Sequence, residues 1–259
     1  MKIHALFASV LVATAFVAFA DESPAPPAAE TPAPAQQPAA PRPARRALPP
    51  EAFTTPSNYV ALVNVDGAVD SDWLEGQAAA MQRSLMVGVK AKTVELSEGA
   101  ANALADRRAF AKNLFGTMPE AKILVILADG EDLPPVLASP YENWVVMDAG
   151  WVKRGGGDAA LVNDRMGKRI YQALGACCGA AYHPEREAVM RYSPTPESLD
   201  DCLSHNFHPL NSNAFSIVAR ALGLDPVRLR PRKELVEMGL LQPRHAEPKA
   251  KEPAEETGR

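Results

Sequence analysis

The chain has 259 residues and a net charge of −4 at neutral pH, and it shows no basic stripe interleaved with aromatic residues. A nucleic acid is therefore not an expected partner, because proteins that bind phosphates present a concentrated positive surface. The length suits a single globular domain with a sizeable core.

The N-terminus has the pattern of a secretory signal peptide at residues 1–20. Lys2 precedes an uncharged run of apolar and small residues that ends in Ala18-Phe19-Ala20, an A-x-A cleavage site. A membrane anchor is the alternative, but a spanning helix needs roughly 20 apolar residues and this run is shorter. We therefore expect a secreted or periplasmic protein, with membrane contact only through the signal peptide if it is not cleaved.

Two segments have compositions typical of disordered chain. Residues 21–54 form a predicted linker, since 10 of residues 21–50 are proline and 9 are alanine. Proline lacks an amide hydrogen and fixes φ, and the segment has almost no large apolar side chain to bury. Residues 243–259 form a charged tail without periodicity. The folded domain is therefore predicted at residues 55–242.

Within this domain, apolar patterns of strands and helices alternate. The predicted strands are residues 59–65, 89–96, 123–128 and 144–147. The predicted helices are residues 71–86, 102–115, 158–181, 213–223 and 229–241. Ser71 is the expected N-cap of the first helix, and Gly116 is expected to end the second. The pattern predicts an α/β or α+β domain with helices packed on a sheet.

The third predicted helix, residues 158–181, carries one continuous apolar stripe. Its apolar residues recur at three- and four-residue steps: Val162, Met166, Ile170, Leu174, Cys177 and Ala181. Residues at that spacing share a face, so this helix is predicted to be the central core helix.

Five segments occur in an order that is characteristic of one family. They are DL at 132–133, WVVMDA at 144–149, RMGKR at 165–169, QALGACCGAAYH at 172–183 and VM at 189–190. They resemble the archaemetzincins, a family of metzincin zinc peptidases. There, segments reading D-L, F-V-F-G-x-A and R-x-x-K-E precede a zinc helix H-E-L-G-H-x-L-G-L-x-H-C, and a Met-turn follows. The resemblance implies a zincin-like domain with a mixed twisted sheet, a long central helix and additional C-terminal helices.

The resemblance also places the positions that would carry the chemistry. A metzincin site needs two histidines one helical turn apart, a third after a glycine turn, and a glutamate as general base. In this chain the three ligand positions are occupied by Gln172, Ala176 and Tyr182, and the general-base position by Ala173. Alanine has no donor atom and glutamine is a poor zinc ligand. No catalytic residue and no metal ligand is therefore expected here.

The apolar and turning positions of the family pattern are retained. Gly179 stands at the sharp turn after the helix, and Met190 stands at the Met-turn. The resemblance implies that the family's second, cysteine-rich zinc site would fall near the residues His183, Ala188, His208 and Asn211. None of these is a cysteine, so the fold is implied without either zinc site.

The three cysteines admit two interpretations. Cys202 could form a disulfide with Cys177 or Cys178 in an oxidising compartment, or all three could be buried thiols. The other candidate metal ligands are His183, His205 and His208. The chain has no C-x-x-C and no H-x-x-x-H, so His205 and His208 are predicted to be surface or loop residues.

These observations lead to one expected function and two alternatives. We expect an exported, catalytically inactive metzincin-like protein without a cofactor, which binds a peptide or protein or serves as a cell-envelope module. The first alternative is an active zinc metallopeptidase with substituted ligands. The second is a structural secreted α/β domain unrelated to metzincins.

Overall fold

The computed structural model describes residues 49–96 and 104–241. The predicted signal peptide at residues 1–20, the linker up to residue 48 and the predicted tail at 243–259 lie outside the described residues. Among the helices that are described, none is long and apolar enough to cross a membrane.

The described part of the chain is built on a five-stranded sheet. Its strands are β1 (Tyr59–Val65), β2 (Gly88–Val94), β3 (Ala121–Ala128), β4 (Val136–Ser139) and β5 (Trp144–Asp148). The strand order is β2-β1-β3-β5-β4, and all neighbours are parallel except β4, which runs antiparallel to β5. The predicted mixed sheet is therefore present, and β4 lies at one edge.

The helices are α1 (Ser71–Leu85), α2 (Arg107–Thr117), α3 (Ala149–Arg154), α4 (Ala159–Cys177), α5 (Pro209–Ala221) and α6 (Arg232–Glu237). They cover both faces of the sheet. Val60 and Leu62 of β1 belong to the core under α1, α4 and α5, whereas Ala61 and Val63 belong to the core under α2. Because both faces are buried, β1 and β3 are nearly continuous apolar runs, as is typical of parallel strands.

The four predicted strands are confirmed to within a few residues, but β4 is not predicted. It has four residues, none of them fully buried, and it directly follows two prolines. So short and exposed a segment has no periodicity to detect. Its pairing with β5 makes it a strand, from Val136 opposite Met147 to Ser139 opposite Trp144.

The starts of α1 and α2 differ from the prediction, because in each helix an aspartate side chain caps the first turn. Asp70, not Ser71, caps α1, because its carboxylate accepts a hydrogen bond from the Trp73 amide at 2.8 Å. Asp106 caps α2 in the same way, so α2 begins at residue 107 rather than 102. The helix also continues past Gly116 to Thr117.

Further boundaries differ. Helix α5 is Pro209–Ala221 instead of 213–223, and α6 is Arg232–Glu237 instead of 229–241. Helix α4 ends at Cys177 instead of residue 181, because Gly179 adopts a left-handed φ of 68° that closes the helix. The fold also begins before the predicted residue 55. Ala52 is fully buried, and its carbonyl accepts a hydrogen bond from the Arg230 amide at 2.9 Å.

Candidate functional site

Helix α4 is held in place by a buried arginine near its start. The Arg165 guanidinium donates two hydrogen bonds to the Asp200 carboxylate, at 2.7 and 2.6 Å. It also donates to the carbonyls of Gly155 and Gly156. The hydrogen bond from Arg165 lowers the pKa of Asp200 below its ordinary value. This arrangement ties α4 to the loops on both sides of it.

The far end of α4 packs against the turn that contains Met190. Met190 is fully buried, and a Cβ atom at Gly175 would lie 2.4 Å from its sulfur atom. Only a glycine at position 175 permits this contact. The Met190 carbonyl also accepts a hydrogen bond from the His183 amide at 2.9 Å, which closes the loop between helix and turn.

Gln172 joins α4 to the same turn through its side-chain amide. Its Nε2 donates at 2.9 Å to the carbonyls of Val189 and Arg191, and lies 3.2 Å from the Ser193 hydroxyl. Its Oε1 accepts a hydrogen bond from Arg169 Nη1 at 2.7 Å. Gln172, at the first ligand position of the metzincin pattern, is therefore a buried cross-link between α4 and the turn. Both ends of its amide group are hydrogen-bonded to the protein.

The other positions of the pattern do not form a metal site either. Ala173, at the general-base position, is fully buried in the core, and Ala176 is half-buried. Tyr182 is 57% exposed and packs edge-on against Tyr192, with ring centroids 5.4 Å apart. Zinc in peptidases takes nitrogen, sulfur or carboxylate ligands in tetrahedral geometry. The residues present here do not fit that ion.

A buried cation that the sequence pattern did not single out lies beside Gln172. Arg169 is 6% exposed, and its guanidinium carbon lies 4.3 Å from the centre of the Trp151 ring. Burial lowers the pKa of Arg169 to about 10, an effect that the nearby Tyr182 and Tyr192 oppose. Arg169 could have been found from the sequence by its position three residues before Gln172, because that spacing puts both side chains on one helix face.

All three cysteines are free, buried thiols, so the alternative disulfide from Cys202 to Cys177 or Cys178 is not formed in this structure. The Cys202 sulfur lies 3.9 Å from the Ser193 hydroxyl. Burial raises the pKa of Cys178 to about 12 and that of Cys177 further still. At neutral pH the Cys177 and Cys178 thiols are protonated, and a thiol must lose its proton to bind a metal ion.

Three residues with metal-ligating side chains do come together elsewhere. Ligand atoms of His183, Glu185 and His208 lie within 4.8 Å of one another. However, His183 Nδ1 accepts a hydrogen bond from the Glu185 amide, and His208 Nδ1 accepts one from the Leu210 amide as the N-cap of α5. A metal ion bound to either Nδ1 would therefore have to displace the backbone amide that now donates to it.

The remaining candidate ligand, His205, is not part of this group. It is exposed, and its Nε2 lies 3.2 Å from Asp164, a residue that also pairs with Lys168. The prediction that His205 lies at the surface agrees with this position. Thus the structure brings together His183 and His208 with an unforeseen glutamate, and it leaves His205 apart.

The described residues thus form a mixed sheet with an antiparallel edge strand, a long helix packed on it and a buried methionine turn. Archaemetzincin from Methanopyrus kandleri is similar in structure, with a TM-score of 0.50 and 22% sequence identity over 63% of this chain and 96% of that one. The chain thus has an archaemetzincin-like fold.

A zinc-dependent peptidase from Methanocorpusculum labreanum also aligns, with a TM-score of 0.45, 11% identity, and coverage of 60% of this chain and 99% of that one. No protein-family model matches the chain, and no curated protein matches its sequence.

We predict that Gly175→Ala lowers the free energy of unfolding by about 1–3 kcal/mol, because the added methyl group overlaps the enclosed Met190 side chain. The matched control is Gly116→Ala in α2, where a Cβ meets nothing within 4 Å. That change should be neutral or stabilising, since alanine favours a helix. Denaturant unfolding of both variants gives the comparison, and equal effects would contradict the proposed contact.

Gln172→Met should also destabilise the domain, by about 1–3 kcal/mol, because the Val189 and Arg191 carbonyls lose their buried donor. The half-buried Gln77 on α1 supplies the control, and Gln77→Met should change the unfolding free energy by less than about 0.5 kcal/mol. If the two glutamine variants were equally stable, Gln172 would not be a cross-link.

Proposed function

We propose that this chain is an exported, non-catalytic domain of archaemetzincin-like fold that binds an extended peptide or protein segment. The export part of the proposal rests on the signal-peptide pattern of residues 1–20. The binding part rests on the fold and on the chemistry of the residues around Gln172.

The main support for a non-catalytic role is that both polar ends of the Gln172 side-chain amide are hydrogen-bonded within the protein. A catalytic zinc needs three protein ligands and an open position for water or substrate, together with a base that takes the proton of the water. Gln172 has both polar ends hydrogen-bonded to the protein, and Ala173 is buried without any acceptor. These positions therefore supply neither a zinc ligand nor a general base.

The edge strand β4 supports the binding part. It pairs with β5 on one side, and no strand in the described residues pairs with its other side. Helix α4, which carries Gln172 and Arg169, packs against β4 and β5. A peptide in extended conformation can add to such an edge through backbone hydrogen bonds, without any metal.

The test is to incubate the purified full chain with a pool of random octapeptides and equimolar zinc. Mass spectrometry would follow peptide cleavage, and hydrogen exchange would follow the backbone amides. We expect no zinc-dependent cleavage, and slower exchange at Val136–Ser139 when the peptides are present, because an added strand protects the edge.

Strand β2 at the opposite edge of the sheet is the internal control, and its exchange should not change. A zinc peptidase of known activity, assayed in parallel, shows that the pool is cleavable. Cleavage that is lost on adding a chelator would contradict the non-catalytic function. Unchanged exchange in β4 would contradict peptide addition at this edge.

A further inference from the structure

Arg169 is a buried charge without an acidic partner. The neighbouring cations of α4 are neutralised: Arg165 pairs with Asp200, and Lys168 pairs with Asp164. Arg169 forms no ion pair with any carboxylate of residues 49–96 and 104–241, and its Nε has no hydrogen-bond partner there. Since buried charges are normally paired, this guanidinium is an exception that calls for a physical reason.

The hydrogen bond to Gln172 does not supply that reason. It uses only Nη1, and a neutral donor would satisfy the Gln172 oxygen equally well without the cost of burying a charge. With a pKa of about 10, Arg169 is nevertheless charged at neutral pH. The structure therefore maintains one uncompensated positive charge at this place.

The surroundings of Arg169 are aromatic and would strengthen its attraction for an anion. Trp151 stacks on the guanidinium, and Tyr182 and Tyr192 interact with it electrostatically. Water is largely excluded, so a charge-assisted hydrogen bond formed here is stronger than one at the surface. Both tyrosine rings are more than half exposed, so they can move aside with little loss of buried area.

We propose that Arg169 binds a carboxylate of the peptide that this domain holds, with Trp151, Tyr182 and Tyr192 forming the walls of the site. This inference rests on the proposed function and specifies its ligand. A guanidinium matches the two oxygens of a carboxylate in planar, bidentate geometry. One uncompensated positive charge balances a monoanion, which favours a carboxylate over a phosphate dianion.

The test uses the tripeptide acetyl-Ala-Ala-Phe as the free acid and as its C-terminal amide. Both are titrated by calorimetry into the purified full chain at pH 7. We expect the acid to bind about tenfold or more tightly than the amide, as one charge-assisted hydrogen-bond pair would give. This comparison uses the unsubstituted chain and so does not depend on how a variant folds.

Three variants locate the effect. Arg169→Met should reduce the affinity for the acid to that for the amide, and Arg169→Lys should retain part of the difference, since lysine keeps the charge but not the fork. Arg108→Met is the matched control, because Arg108 is an exposed arginine in α2 that already pairs with Glu142. It should leave the difference between acid and amide unchanged.

Three results would overturn the inference. Equal binding of acid and amide, or binding of neither at millimolar concentration, would exclude carboxylate recognition. Displacement of the acid by an equal concentration of inorganic phosphate would show a general anion site. The octapeptide test reads zinc-dependent cleavage and hydrogen exchange in β4, and neither readout depends on these results, so a failure of this inference is distinguishable from a failure of the proposed function.

Discussion

The contact between the end of α4 and the turn around Met190 is the constraint on which the candidate site depends. Two features create it: a glycine at position 175 that lets the methionine approach the helix, and the Gln172 amide that donates to the backbone of the turn. Both act in the core, where interiors are packed too tightly to tolerate an added methyl group or an unpaired carbonyl. The geometry of residues 172–193 follows from them.

This constraint also shows how protein side chains alone hold the central helix of the fold. A structural cross-link between the helix and the following loop is formed here by hydrogen bonds of Gln172, and the Arg165–Asp200 pair holds the start of the helix. The Gln172 and Arg165 side chains are buried, and their polar groups are hydrogen-bonded to the protein. The same residues that stabilise the helix are therefore unsuited to bind an ion.

Much of the fold could be predicted from the sequence, because β1, β3 and α4 have strong periodicity. The helix ends were less predictable, since Asp70 and Ser71 are both good caps and only the backbone decides between them. Strand β4 could not be predicted, because it exists through pairing with β5 and not through its own pattern.

The site was predictable only in part. The family pattern placed Gln172, Ala173, Ala176 and Tyr182, but it could not show that Gln172 donates to a turn 17 to 21 residues away. The stacking of Trp151 on Arg169 joins α3 to α4, and no local pattern encodes such a contact. Glu185 lies beside two histidines for the same reason: the loops that bring these residues together are set by the tertiary structure.

The most direct test of this account is the zinc content of the full chain. The chain and its His183→Ala, His208→Ala double variant would be loaded with excess zinc, dialysed against zinc-free buffer without a chelator, and measured by elemental analysis. The account predicts far less than one zinc per chain in both, because Gln172 and Ala176 offer no ligand. About one zinc per chain in either protein would contradict it, and loss of that zinc in the double variant would place the ion at His183 and His208.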